Sequence, residues 1–311
     1  MFFIISHIFS DCNTYKKLPN QKNNYFHSID IFIAVYYNFI MKNVLITGAS
    51  GGMGKATCSI LKEAGFKVFG VDVNECENFV GDKFFKADLT DEKSVERLKE
   101  QVLSECPSFY AIIHMAGVYD LNSLVEMDEQ SFLRIFECNL FSVFRINKAF
   151  IGAIEKGGKI IITSSELAPL DPLPFTGVYA ITKSALEKYA FSLRHELNLL
   201  GIKVSVIRPG AVKTGLLKAS TVALDKFCQN TSLYPFNAKR FKKIVDSVEN
   251  KNIAPQKIGK IALKALKKKR PRFTYSVNRN FLLRVLSALP GGLQVKIISS
   301  ILKERKKKTP I

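Results

Sequence analysis

The chain has 311 residues, enough for one large α/β domain and too few for two. Hydrophobic residues make up 47% and charged residues 23%, which excludes wholesale disorder. The net charge of +19 is concentrated at one end: residues 251–311 hold 17 Lys and Arg against the single acid Glu304, or +16, leaving +3 for the preceding 250. A nearly neutral body argues against nucleic acid as a partner and gives the C terminus a role of its own. The cysteines, Cys12, Cys58, Cys76, Cys106, Cys138 and Cys228, form no C-x-x-C pair or metal-ligand spacing. They read as small buried side chains of a reducing, cytoplasmic setting, and no metal site is expected.

Residues 1–40 differ from the rest. Two short apolar runs, Met1–Ile5 and Ile31–Tyr37, flank the polar stretch Asn13–Asn24. Neither reaches the ~18 residues of a membrane span, and no secretory cleavage pattern is present. Either Met41 is the true start or residues 1–40 are an appendage, with a membrane anchor as the rival reading. From Met41 on, strand and helix patterns alternate. Short apolar runs at Asn43–Thr47, Lys67–Asp72, Ala111–Met115, Lys159–Thr163 and Lys203–Ile207 predict strands covered on both faces, with a weaker one at Lys83–Ala87. Helices are predicted over Lys55–Ala64, Glu92–Leu103, Gln130–Gly152 and Tyr179–Leu200. The alternation implies right-handed crossovers and an α/β fold, a Rossmann-like doubly wound parallel sheet in a single domain over residues 41–270. A basic helical extension over 271–311 follows.

The first strand runs into a turn holding Gly48, Ser50, Gly52, Met53 and Gly54, then a helix. Gly48 permits the tight turn, Gly52 a close approach to a pyrophosphate, and Gly54 close helix–sheet packing. The helix N terminus offers free N–H groups to the phosphates. Asp72 ends the second strand, 24 residues after Gly48. An acid there accepts hydrogen bonds from the adenosine ribose and repels a 2′-phosphate, which favours NAD over NADP. Asp88, followed by Leu89, is a candidate for the adenine side of the cleft, with a helix N-cap as the alternative.

After the strand Lys159–Thr163 come Ser164 and Ser165, and then Tyr179 and Lys183, four apart on one helical face. A neighbouring ammonium favours the phenolate of a Tyr whose ordinary pKa is ~10.

Taken in order, these motifs resemble those of the short-chain dehydrogenase/reductase family over about Met41 to Arg270. The likeness also draws on Ala116 and Gly117 after the fourth strand, Asn139 in the next helix, and Pro209, Gly210 and Thr214 after the sixth strand. It implies that Tyr179 is the general acid/base, that Ser165 binds the substrate oxygen, and that Lys183 holds the nicotinamide ribose and lowers the Tyr179 pKa. Asn139 would fix a water beyond Lys183, and the turn from Pro209 through Val212 to Thr214 would adjoin the nicotinamide. Hydride then passes between the cofactor and an alcohol or ketone carbon. The family's usual Asn-Asn-Ala-Gly is here His114-Met115-Ala116-Gly117, with His114 read as a buried hydrogen-bonding substitute rather than a second catalytic base. Ser165 lies one residue farther from Tyr179 than the family spacing implies, which leaves Ser164 as a minor alternative. The likeness also implies a homodimer or tetramer through the helices starting near Gln130 and Tyr179.

Leu216–Phe227 fits an apolar lid, with Leu216, Leu217, Val222, Leu224 and Phe227 suited to a hydrophobic substrate. In the tail, Phe281, Leu282, Val285, Leu286 and Leu289 share one helical face. After Pro290, Leu293, Ile297, Ile298, Ile301 and Leu302 share another, between the basic clusters Lys267–Arg272 and Lys303–Lys308. Two readings stand: a peripheral element on an anionic membrane surface, or a flap packed on the domain. The tail resembles those of family members acting on steroid- or retinoid-like lipids. A non-catalytic NAD-binding or membrane-surface scaffold on this fold is the alternative function.

Overall fold

The structure, a computed structural model, describes residues 41–303. The extension expected over residues 1–40, and the basic cluster beyond Lys303, lie outside the described residues. Seven strands are β1 Asn43–Thr47, β2 Lys67–Asp72, β3 Lys83–Lys86, β4 Phe109–His114, β5 Ile154–Thr163, β6 Lys203–Pro209 and β7 Thr274–Val277. They form one parallel sheet in the order β3-β2-β1-β4-β5-β6-β7. The order reverses between β1 and β4, where Thr47 pairs with His114, and a crevice opens beyond the strand ends there.

The helices are α1 Gly52–Glu63, α2 Glu92–Glu105, α3 Glu129–Phe136, α4 Ser142–Phe150, α5 Gly177–Leu199, α6 Gly215–Asn230, α7 Pro235–Glu249, α8 Gln256–Lys267, α9 Phe281–Ser287 and α10 Gly291–Leu302. Strands such as β1 are apolar throughout because both faces are covered. Leu45 joins one core with Leu98 of α2, Ile146 of α4 and Leu186 of α5. Val44 and Ile46 join the other with Leu61 of α1 and Ile258 and Ala262 of α8. The doubly wound sheet is therefore as expected.

Three features depart from the pattern. The helix expected over Gln130–Gly152 is interrupted by a π-helical turn at Glu137–Phe141. The last strand, β7, begins after the boundary placed at residue 270, so the sheet reaches into the segment assigned to the tail. Helices α7 and α8 follow α6 without a preceding sequence signal; α6 itself contains the expected lid.

A third apolar cluster gathers Leu224 and Phe227 of α6, Phe241 of α7, Phe175, and Leu302 of α10, with Ile298 packed against it. The tail thus packs on the domain along one side. Gln294 Nε2 donates to Asp171 Oδ2 at 2.7 Å, Ser287 Oγ accepts from Asp171 N at 3.0 Å, and Asn237 Nδ2 donates to Leu302 O at 2.9 Å. The other side of α9 and α10 stays open, with Phe281 70% and Leu282 74% exposed.

Candidate active site

Gly48 takes a left-handed φ of +69°, and a Cβ there would stand 2.5 Å from the Ala116 nitrogen, so the turn after β1 presses on the segment after β4. A Cβ on Gly54 would fall on the Gly48 carbonyl, which ties α1 to the same turn. The close neighbour of Gly52 is Thr214, whose Cγ2 would lie 2.9 Å from a Cβ at that glycine. Gly51 caps α1 without a side-chain hydrogen bond, and the first turn holds no acid, which leaves its N–H groups available to an anion.

Asp72 is buried at the end of β2. Its Oδ2 accepts from Ser50 N at 3.1 Å and its Oδ1 from Asn74 N at 3.0 Å, which pins the acid beside the turn. Asp88 accepts from the N–H and hydroxyl of Thr90, at 2.8 and 2.7 Å. The cap of α2 is instead Asp91, which accepts from Lys93 N and Ser94 N. A cleft of about 700 Å³ runs along this side. Ser50, Met53, the three glycines, Asp72, Asp88 and Leu89 line it, with Ala116, Gly117 and Thr214 at its inner end.

A smaller cavity of about 170 Å³ adjoins it, sharing Met53, Ala116, Gly117 and Thr214. Ser165, Tyr179, Lys183, Pro209, Gly210 and Val212 line this second cavity. Its outer wall is largely apolar, with Leu173, Leu216, Leu217, Phe241, Ile244 and Leu283. The loop after β6 is held by Gly210 N donating to Val277 O at 2.9 Å and by the bridge from Val212 to Ile253.

Contrary to the lowering expected from Lys183, burial pushes the Tyr179 hydroxyl up to about 12, opposed by the neighbouring Ser165 side chain and reinforced by the charge of Glu166. Burial pulls Lys183 down to about 8, with Glu187 opposing. Lys183 Nζ donates to Thr163 O at 3.2 Å and lies 5.8 Å from the Tyr179 ring centre. Asn139, in the π-helical turn, lines neither cavity. Its Oδ1 accepts from Val118 N at 2.8 Å, and its Nδ2 donates to Val118 O at 3.0 Å and Thr182 Oγ1 at 3.2 Å. His114 is buried, with Nε2 donating to Asn147 Oδ1 at 2.9 Å, and burial pulls it down to about 4.

Three residues at the site carry no motif: Tyr119, Glu166 and Glu249 all line the smaller cavity. The Tyr119 ring packs edge-on to Tyr179 at 4.6 Å. Thr163 Oγ1 and Ser164 Oγ, buried at the end of β5, have no hydrogen-bond partner. A helix start without a side-chain cap, a buried acid at the end of β2 and spare hydroxyls in the smaller cavity together fit a nicotinamide dinucleotide.

A family model described as short chain dehydrogenase matches residues 42–224. The chain belongs to the short-chain dehydrogenase family. It is 31% identical over 236 residues to a 3-ketodihydrosphingosine reductase of Bacteroides thetaiotaomicron, covering 75% of this chain and 87% of that one. It is 30% identical over 203 residues to an NADPH-dependent 1-acyldihydroxyacetone phosphate reductase of Schizosaccharomyces pombe, covering 63% and 69%. Among solved structures, a short chain dehydrogenase family protein of Francisella tularensis superposes with a TM-score of 0.63 at 23% identity, over 76% of this chain and 97% of that one. As a short-chain dehydrogenase the protein is a nicotinamide-dependent oxidoreductase acting between CH–OH and C=O groups.

Proposed function

We propose that this short-chain dehydrogenase reduces a ketone on a long-chain lipid, with NADH as the preferred cofactor. The observation that carries the reading is the apolar cavity ending on Ser165, Tyr179 and Lys183. The bound nicotinamide supplies the hydride. Ser165 holds the substrate oxygen, and Tyr179 donates the proton that the new alkoxide takes up. Burial keeps the Tyr179 phenol protonated, the state that a proton donor to an alkoxide needs. Lys183 holds the nicotinamide ribose.

Asn139 is a positioning residue that ties Val118 to α5 through Thr182. The water expected at Asn139 belongs to the same proposal. Pro209, Gly210, Val212 and Thr214 form the wall against the nicotinamide. Asp72 favours NADH, although the yeast relative is named for NADPH.

Two further assignments complete the proposal. The protein forms a homodimer or tetramer through α3, α4 and α5, which expose Leu133, Phe144, Ile181 and Phe191. Within the 271–311 extension, the segment after β7 makes a peripheral contact with an anionic membrane on the cytoplasmic face. Among the described residues no helix is long and apolar enough to cross a membrane.

The deciding experiment is a screen of straight-chain, steroid and retinoid ketones with NADH and NADPH, followed at the nicotinamide absorbance. Straight-chain ketones should turn over fastest. A preference for steroids or retinoids, or turnover of none, overturns the reading.

A further inference from the structure

Among the apolar side chains that α7 sends into the smaller cavity, Phe241, Ile244, Val245 and Val248, one acid stands out: Glu249, the last residue of the helix. Its Oε1 is buried without a hydrogen-bond partner. Its Oε2 lies 3.5 Å from Thr221 Oγ1, a hydroxyl with one proton that also donates to Leu217 O at 3.0 Å. The neighbouring cation is committed elsewhere: Lys242 Nζ pairs with Asp225 and Asp246, each at 3.2 Å. No ion pair among the described residues satisfies Glu249.

Such a carboxylate costs stability unless something neutralises it. Burial, with the charge of Asp246, pushes Glu249 up to about 7. Its field reaches Tyr119, whose pKa it helps raise, and the Tyr119 ring lies against that of Tyr179. Glu249 therefore lines the same cavity as Tyr119 and the proton donor Tyr179. The other acid in the cavity, Glu166, is already engaged: its Oε2 accepts from Asn280 N at 2.6 Å, and the Arg279 charge offsets it.

We propose that Glu249 determines specificity by receiving the ammonium group of a long-chain ketone that carries an amine near its carbonyl. The proposal rests on the long-chain ketone reading above and narrows it. A cation fits each feature around the residue. The carboxylate gains a charge-assisted partner. The alkyl chain occupies the wall of Leu216, Leu217, Ile244 and Leu283. An anionic group, such as a phosphate ester, would instead meet two acids.

The test compares a long-chain 2-amino-3-ketone with the same 3-ketone lacking the amine. Both are given to the full chain with a saturating nicotinamide cofactor, and the measure is kcat/KM. The wild type should favour the amine by about tenfold to a hundredfold, the range of a hydrogen bond to a charged group, expressed mainly in KM. Glu249→Gln, checked for intact cofactor binding, should bring that ratio close to one. Equal use of both ketones by the wild type overturns the role of Glu249 and leaves the long-chain ketone reading standing. A ratio that survives in Glu249→Gln does the same. Failure to reduce either ketone removes the long-chain reading and this inference with it.

Discussion

At the scale of single residues, the proton donor is the first test. Tyr179→Phe keeps the ring against Tyr119 and removes only the hydroxyl, so it should lower turnover by ~10²-fold or more with cofactor binding intact. Near-full activity would exclude Tyr179 as the acid. Asp72→Ala removes the acid pinned by Ser50 N and Asn74 N and should let NADPH compete with NADH, read as a ratio of kcat/KM values. A wild type that already prefers NADPH refutes the assignment. His114 makes a stability prediction. Its folded pKa of about 4 lies below the ordinary 6.5, so the unfolded chain binds the extra proton first. Stability is then fully present above pH 6.5 and falls as pH drops toward 4, by on the order of 3 kcal/mol. His114→Asn should flatten that part of the melting-temperature profile; an unchanged slope assigns the acid sensitivity to other groups. The placement of Tyr179, Lys183 and Asp72 along the cavities was legible because their spacing and strand-end register have direct geometric meaning. Tyr119, in the loop after β4, and Glu249, at the end of α7, were not, because nothing local marks residues that only the tertiary fold brings to the cavity.

At the scale of elements, the glycine turn works only while α1 stays close to the sheet, and α8 is what presses it there. Gly259 of α8 makes the contact. A Cβ on it would stand 2.8 Å from Ile60 Cδ1 and 3.1 Å from both Ala56 O and Thr57 Cα. Ile60 can turn aside, but the backbone of α1 cannot. Gly259→Val should therefore destabilise the fold by about 1–3 kcal/mol, the usual cost of overpacking. By displacing α1 it should also weaken NADH binding several-fold, read by titration. Unchanged melting and unchanged affinity together would show that α1 is positioned from the sheet side alone. The sequence offered no sign of this contact, since α8 was hidden in a basic segment whose lysines dominate its composition. The interrupted helix around Asn139 was equally opaque. An apolar period runs through Gln130–Gly152, and the π-helical turn depends on side-chain bonds to Val118 and Thr182 that only the tertiary fold supplies.

For the whole molecule, the charge partition was legible from the start, with +16 in the last 61 residues, but the placement of the tail was not. The polar ties Gln294–Asp171 and Asn237–Leu302 have no periodic signature, and they turn Ile298 and Leu302 inward while Phe281, Leu282, Leu293 and Val295 remain exposed. The packed flap and the proposed membrane contact are therefore two sides of one element. The outward side combines those apolar residues with exposed Arg279, Arg284, Lys296 and Lys303. Helix α9 also sends Leu283 into the substrate cavity, so a lipid surface touching α9 would lie at the cavity wall. Each Lys or Arg near an anionic surface contributes about 1 kcal/mol, and the apolar ridge adds insertion at headgroup depth. The protein should sediment with phosphatidylserine vesicles at low salt and release as salt rises. Phe281→Ser with Leu282→Ser should weaken the binding without disturbing β7 or the packed side of the tail, a cleaner test than removing the segment after Arg270, which would take the last strand with it. Full-length protein that ignores such vesicles at low salt would leave the exposed ridge without a membrane role and the lipid substrate without its route to the cavity.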